Sequence, residues 1–174
     1  MITKDNTSRV MELFFKNPDK KYHLRELERL TKLSMPGVRK IGIKLEKEGL
    51  LLSKKEKMVK NFYASRNEKF MALKRAYNLY SLFSSGFIGF LKQTYEEPEA
   101  IVLFGSYSRG EDTSISDIDI AVITPMQKNI DTSIFEKKLG RPLKIYEIKL
   151  SKAEKDFINT LANGIVLYGY LKVI

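Results

Sequence analysis

Between Asn6 and Phe15 the apolar residues Val10, Met11, Phe14 and Phe15 recur at helical spacing, and Asn17-Pro18 ends the run, so a first helix is predicted there. The next stretch, HLRELERLTK, puts Leu24, Leu27 and Leu30 on one face with charges opposite, predicting a second helix of about two turns. Ser34 offers an N-cap and Pro36 fits the first turn of a third helix, where its missing N–H costs nothing. Val38, Ile41 and Leu45 form the inward stripe of that helix, and Gly49 stops it. Residues 50–63, LLLSKKEKMVKNFY, begin apolar, turn basic and return to β-branched and aromatic residues, the pattern of two strands joined by a lysine-rich tip.

Residues 68–95 have helix-forming composition, with Phe70, Leu73, Tyr77, Tyr80, Leu82, Phe83, Phe87, Ile88 and Leu91 apolar, and Gly86 and Gly89 as weak points. A helix this apolar is expected to pack under the following domain, against a partner subunit, or both. Its uncharged part, AYNLYSLFSSGFIGFL, is too short and too polar to span a bilayer, which takes about 20 mostly apolar residues. After the acidic, proline-containing YEEPE, the run AIVLF (100–104) has the length of a buried strand. Gly105-Ser106 then turns the chain into a brief helical segment, and DIDIAVIT reads as a second strand. A helix over 130–139, a third strand PLKIYEIKL (142–150) and a helix over 151–162 follow.

Charge sharpens this division. The formal net charge of +10 is concentrated in residues 1–67, which hold 17 Lys/Arg against 8 Asp/Glu, and such a block implies a polyanionic partner for that part of the chain. The chain has no cysteine, which excludes disulfides and thiolate metal sites. Nothing near residue 1 reads as a secretion signal, so the expected location is the cytoplasm. The sole histidine, His23, stands at the start of the second helix without nearby metal-ligating partners and reads as a surface or capping residue.

The chemistry is concentrated in GSYSRGEDTSISDIDIAV (105–122). Strand side chains alternate, so Ile118, Ile120 and Val122 go to one face while Asp117 and Asp119 share the other, with α-carbons roughly 6.6 Å apart. Two carboxylates so held repel, and burying them uncompensated costs several kcal/mol. A divalent cation removes that cost. Mg²⁺ takes one or two carboxylates plus phosphate oxygens and water, and the Gly105-Ser106 turn, next to a helix start, offers backbone N–H groups and a hydroxyl to a phosphate. The plainer reading of Asp-x-Asp alone is an exposed edge strand with two solvated aspartates.

Two resemblances add to this. SMPGVRKIGIKLEKEGLLL resembles the winged helix-turn-helix superfamily, whose recognition helix ends in Leu-Glu-x-x-Gly-Leu, here Leu45 to Leu50. It implies duplex DNA as partner, with Arg39, Lys40 and Lys44 at the major groove and Lys54, Lys55, Lys57 and Lys60 at phosphates. A winged helix used for protein contact is the alternative. Gly-Ser, a ten-residue spacer and Ser-Asp-Ile-Asp-Ile-Ala-Val resemble the polymerase-β-like nucleotidyltransferase superfamily, above all its minimal prokaryotic members, over residues 99–170. That resemblance implies Mg²⁺ on Asp117 and Asp119, nucleotide phosphates on Gly105 and Ser106, and Ser116 fixing the first aspartate. Arg109 either meets phosphate or pairs with Glu111 or Asp112. It also implies a third carboxylate early in the strand 142–150, near Lys144 to Tyr146, where none stands. Glu147 is then either a displaced third catalytic ligand or an ordinary strand-end glutamate.

The expected architecture is thus an α/β two-domain chain. A winged helix of three helices plus a β-hairpin occupies 1–67, a connecting helix 68–98, and a small mixed-sheet nucleotidyltransferase fold 99–174. The leading expectation is a DNA-binding transferase moving a nucleoside monophosphate, AMP foremost, from ATP or another triphosphate to a hydroxyl of a protein or nucleic acid with Mg²⁺. The alternative is a transcriptional regulator with a catalytically degenerate, nucleotide-sensing or oligomerising second domain, antitoxin-like by family analogy. A homodimer without membrane contact accompanies either.

Overall fold

The computed structural model describes residues 5–56 and 59–172, and the chain divides into two compact units, Met1–Lys74 and Arg75–Ile174. In the first unit α1 (Asn6–Lys16) starts at Asp5, whose side chain accepts from the Ser8 N–H at 2.7 Å, and buries Val10, Met11, Phe14 and Phe15. A short strand β1 (Tyr22–His23) precedes α2 (Leu24–Thr31), and His23 caps that helix, its Nδ1 accepting from the Glu26 N–H at 3.1 Å. The capping reading of the histidine therefore holds.

Helix α2 departs from its expected stripe. Leu27 is buried but Leu30 is 44% exposed, and Thr31 takes the interior place with its hydroxyl donating to the Leu27 carbonyl at 2.6 Å. Positions 24, 27 and 31 follow one face, and residue 30 lies about 100° around the helix from 31.

Helix α3 (Met35–Lys47) begins as expected at Ser34, which accepts from the Gly37 N–H, with Pro36 in the first turn. Its buried stripe is Val38, Gly42 and Leu45, with Ile41 only half-buried. Gly42 lies beneath the Phe62 ring, where a Cβ would come within 2.8 Å of Cζ. The glycine lets the helix close on the sheet. Strands β2 (Leu51–Glu56) and β3 (Val59–Ala64) pair antiparallel, and β1 adds to β3 to give the order β1-β3-β2.

Residues 68–95 form two helices rather than one, α4 (Glu68–Ser84) and α5 (Phe87–Thr94). Ser85 and Gly86 break them: the Ser85 hydroxyl donates to the Leu82 carbonyl and accepts from the Phe87 N–H, and Gly86 sits at φ +85°. The start of α4 packs in the first unit, Phe70 against Phe15, while α5 lies in the core of the second.

The second unit is a four-stranded mixed sheet, built from β4 (Ala100–Phe104), β5 (Ile118–Ile123), β6 (Leu143–Ile148) and β7 (Ile165–Gly169) in the order β6-β5-β4-β7. Only β5 and β6 run parallel, and the helix α7 (Ser133–Leu139) lies on the crossover between them. Leu82, Phe87, Ile88, Leu91 and Tyr95 cover the face that carries Ile101, Leu103, Ile118, Ile120 and Val122. The other face carries Ala100, Val102, Phe104, Ala121 and Ile123 beneath Leu161 and Phe157 of α8 (Lys155–Ala162). Strand β4 is buried on both sides, which is why AIVLF reads as a continuous apolar run rather than an alternating one. Each of Ile101, Val102, Leu103 and Phe104 contributes about 1.5–3 kcal/mol on burial.

Candidate functional site

Strand β4 ends at Phe104, and Gly105 turns the chain into α6 (Gly105–Arg109). Gly105 has φ +73°, and a Cβ there would lie 2.6 Å from Asp119 Oδ2. The left-handed turn calls for glycine, and the Asp119 carboxylate takes up the space a Cβ would fill. Phe104 and Asp119 are register partners, so the pairing of β4 with β5 is what sets the turn against the carboxylate. Helix α6 has only five residues, so any help to an anion comes from local N–H groups more than from a summed dipole.

Asp117 and Asp119 are both partly exposed and share a face, as their alternation requires. Two residues of β6 join them. Lys144, the register partner of Asp119, places Nζ 2.5 Å from Asp117 Oδ2, and Tyr146 OH reaches Asp119 Oδ1 at 3.4 Å. The Asp117 carboxylate raises the Lys144 pKa, and burial followed by the Asp119 charge raises that of Tyr146, so both keep their protons at neutral pH.

Glu147 is not brought to this ledge. Ile118 pairs with Leu143 and Val122 with Glu147, which turns the glutamate to the opposite face of the sheet. There its carboxylate accepts from Tyr95 OH at 2.5 Å and the Lys128 N–H at 2.7 Å, and burial together with Glu147 pushes the Tyr95 pKa up. A role as third ligand is therefore corrected: Glu147 ties the 124–128 loop to α5's end. Among the described residues no group of three or more His, Asp or Glu could hold a metal.

Ser116 does not hold Asp117 either. Its hydroxyl accepts from the Thr113 N–H at 2.9 Å and closes the turn that leads into β5. Arg109 pairs with Glu111, Nε to Oε2 at 2.7 Å, on the exposed side of α6. Ser106 is half-buried in the first turn of α6, beside Gly105.

A buried polar cluster that sequence reasoning missed steadies the loop before the aspartates. Asp112, 1% exposed, takes the Asn78 amide at 2.8 Å and the Arg141 guanidinium at 3.5 Å. Arg141 also donates to the Ser114 carbonyl at 2.8 Å, and Asn78 to the Tyr107 carbonyl at 2.9 Å. The available signal was an asparagine within an apolar helical run and an arginine between Gly140 and Pro142.

In the first unit Arg39 and Lys40 are exposed on α3, and Lys54 and Lys55 on β2. Lys44 lies 3.8 Å from Glu48, a loose pair. Lys57 lies outside the described residues. Lys60 Nζ is 2.8 Å from Glu46 Oε2 and sits over the Phe62 ring. Glu46 also accepts from the Ser53 hydroxyl, and Lys60 and Ser53 together hold its carboxyl below the usual range.

Residues 88–171 match the family described as Polymerase beta, Nucleotidyltransferase, and the chain is accordingly nucleotidyltransferase-like in its second unit. Domains of this family generally use a divalent metal and a nucleoside triphosphate. None of the curated proteins compared matches the chain. Among the described residues no helix is long and apolar enough to cross a membrane.

Asp117 and Asp119 offer carboxylate oxygens that would suit one Mg²⁺, with phosphates and water left to supply the rest of its ligands. They fit two less well, because an ammonium rather than a carboxylate stands at the start of β6.

Proposed function

We propose that the chain is a DNA-binding, nucleotide-responsive regulator. Its first unit acts as a winged helix on duplex DNA, and its second unit holds a nucleoside triphosphate, ATP foremost, with Mg²⁺. The observation that carries the nucleotide site is the packing of Asp119 on the Gly105 α-carbon, which brings a phosphate-sized turn and a metal-binding carboxylate together. In this reading Asp117 and Asp119 hold the ion, and Gly105 and Ser106 meet the phosphates. Support for the DNA part is the exposure of Arg39 and Lys40 on α3 and of Lys54 and Lys55 on the hairpin, within the basic third of the chain. Arg39 and Lys40 address base edges, and the strand lysines address phosphates. A homodimer in the cytoplasm goes with a two-fold DNA site, and the exposed Tyr80 and Phe83 on α4 suit a second copy.

Transfer of AMP to a hydroxyl of a protein or nucleic acid is the second reading, supported by the family match and the aspartate pair. Lys144 on Asp117, with no third carboxylate beside them among the described residues, favours the regulator. Incubation of the chain with Mg²⁺, α-labelled ATP and a cell extract separates the two. Label held by the chain but passed to no acceptor is the expected result. Label passed by the parent chain, and not by Asp117→Ala with Asp119→Ala, would establish the transferase instead.

A further inference from the structure

Strand β6 supplies the second unit with a fixed cation. The parallel register sets Lys144 beside Asp119, and its ammonium reaches across to Asp117 at 2.5 Å, while its side chain stays 56% exposed. An ammonium has three N–H donors and no acceptor, so a carboxylate satisfies only part of it. The ledge of two carboxylates and one ammonium carries a net charge of −1. That leaves one carboxylate, Asp119, whose charge Lys144 does not directly pair.

We propose that Lys144 takes the place of one of two divalent ions, so that this site binds a nucleoside triphosphate with a single metal ion and retains measurable affinity with none. Lys144 bridges Asp117 Oδ2 and a phosphate oxygen, and the one exchangeable ion is held by Asp119 with the other oxygen of Asp117. The proposal rests on the nucleotide-binding reading and sharpens it: the second unit reports nucleotide over a range of metal concentrations instead of requiring two ions. Lys is a compact, strongly hydrated charge that binds phosphate as a point cation, which suits this role. The proposal adds no covalent step.

The test uses the full chain and two variants at the exposed position, Lys144→Met and Lys144→Asp. ATP binding is measured by calorimetry with Mg²⁺ and with EDTA, and bound Mn²⁺ is counted by electron paramagnetic resonance with a non-hydrolysable ATP analogue. Expected are one Mn²⁺ per chain in the parent and two in Lys144→Asp. Metal-free ATP binding is expected to weaken by about tenfold or more in Lys144→Met, the scale of a charge-assisted hydrogen bond. Two Mn²⁺ in the parent, or equal metal-free binding by the parent and Lys144→Met, overturns the proposal and leaves the nucleotide site standing. No ATP binding by the parent even with Mg²⁺ overturns the nucleotide site and the proposal with it. Circular dichroism of both variants against the parent shows whether a loss comes from unfolding, and in that event Lys144→Gln, a polar replacement for an exposed residue, carries the same comparison.

Discussion

In each unit a charge of one sign is set against neighbours of the other, and the outcome depends on how many of those neighbours remain. In the first unit Glu46 draws Lys60 to itself at 2.8 Å and accepts from Ser53. Lys60 stands directly across from Lys55 on the hairpin, a like-charge pairing that costs stability, and Glu46 offsets it. Arg39, Lys40, Lys54 and Lys55 stay exposed, so the basic surface is tuned rather than cancelled. In the second unit Lys144 meets a ledge of only two carboxylates, and its pairing with Asp117 halves the ledge's net charge. The same device removes a small share of the charge where charges are many and half of it where they are few.

The contrast can be broken most forcefully at Asp119. Asp119→Asn should weaken ATP binding with Mg²⁺ by at least about 100-fold, since even outer partners of metal ligands are worth about 10–100-fold. Calorimetry reads it, and an unchanged affinity would remove the ledge from the nucleotide site. Next is Gly105→Ala, which forces a side chain into φ +73° and against Asp119. A loss of about 1–2 kcal/mol in urea unfolding is expected, together with weaker nucleotide binding. If the variant is as stable as the parent, the turn is not the constrained element described above.

On the basic side, Lys54→Ala with Lys55→Ala should flatten the slope of log affinity against log salt for duplex DNA by roughly one per lysine. A slope equal to the parent's excludes phosphate contact by that strand. The smallest effect belongs to Glu46→Gln, which releases Lys60 and should raise DNA affinity by no more than a few-fold, the scale of a partly exposed ion pair, about 1 kcal/mol or less. The same variant carries a pH signature. The Glu46 carboxyl lies below its ordinary value of 4.5 when folded, so its contribution is fully present above that value and is lost as pH falls through the folded pKa. Acid unfolding of Glu46→Gln should therefore be less steep near and below pH 4.5.

Much of this molecule was legible from pattern. The caps at Ser34 and His23, the strands AIVLF and DIDIAVIT, and the shared face of Asp117 and Asp119 follow from local rules: side-chain acceptors ahead of helices, and a period of two in strands. The elements that escaped depend on partners distant in sequence. Strand β1 is two residues long and exists through its pairing with Phe62 and Asn61. The face taken by Glu147 depends on which residue of β6 meets Ile118, and a shift of one would have exchanged it with Lys144 and Tyr146. The reason for Gly42 in mid-helix, the space taken by the Phe62 ring, likewise lies in a distant strand.

That last contact has a mechanical consequence. With no side chain between them, the backbone of α3 and the ring of Phe62 lie in direct contact, at a spacing that only a glycine allows. The helix that carries Arg39 and Lys40 and the strand that carries Lys60 are therefore spaced by one buried contact. A bulkier residue at position 42 would force helix and ring apart, because its Cβ would stand 2.8 Å from Phe62 Cζ.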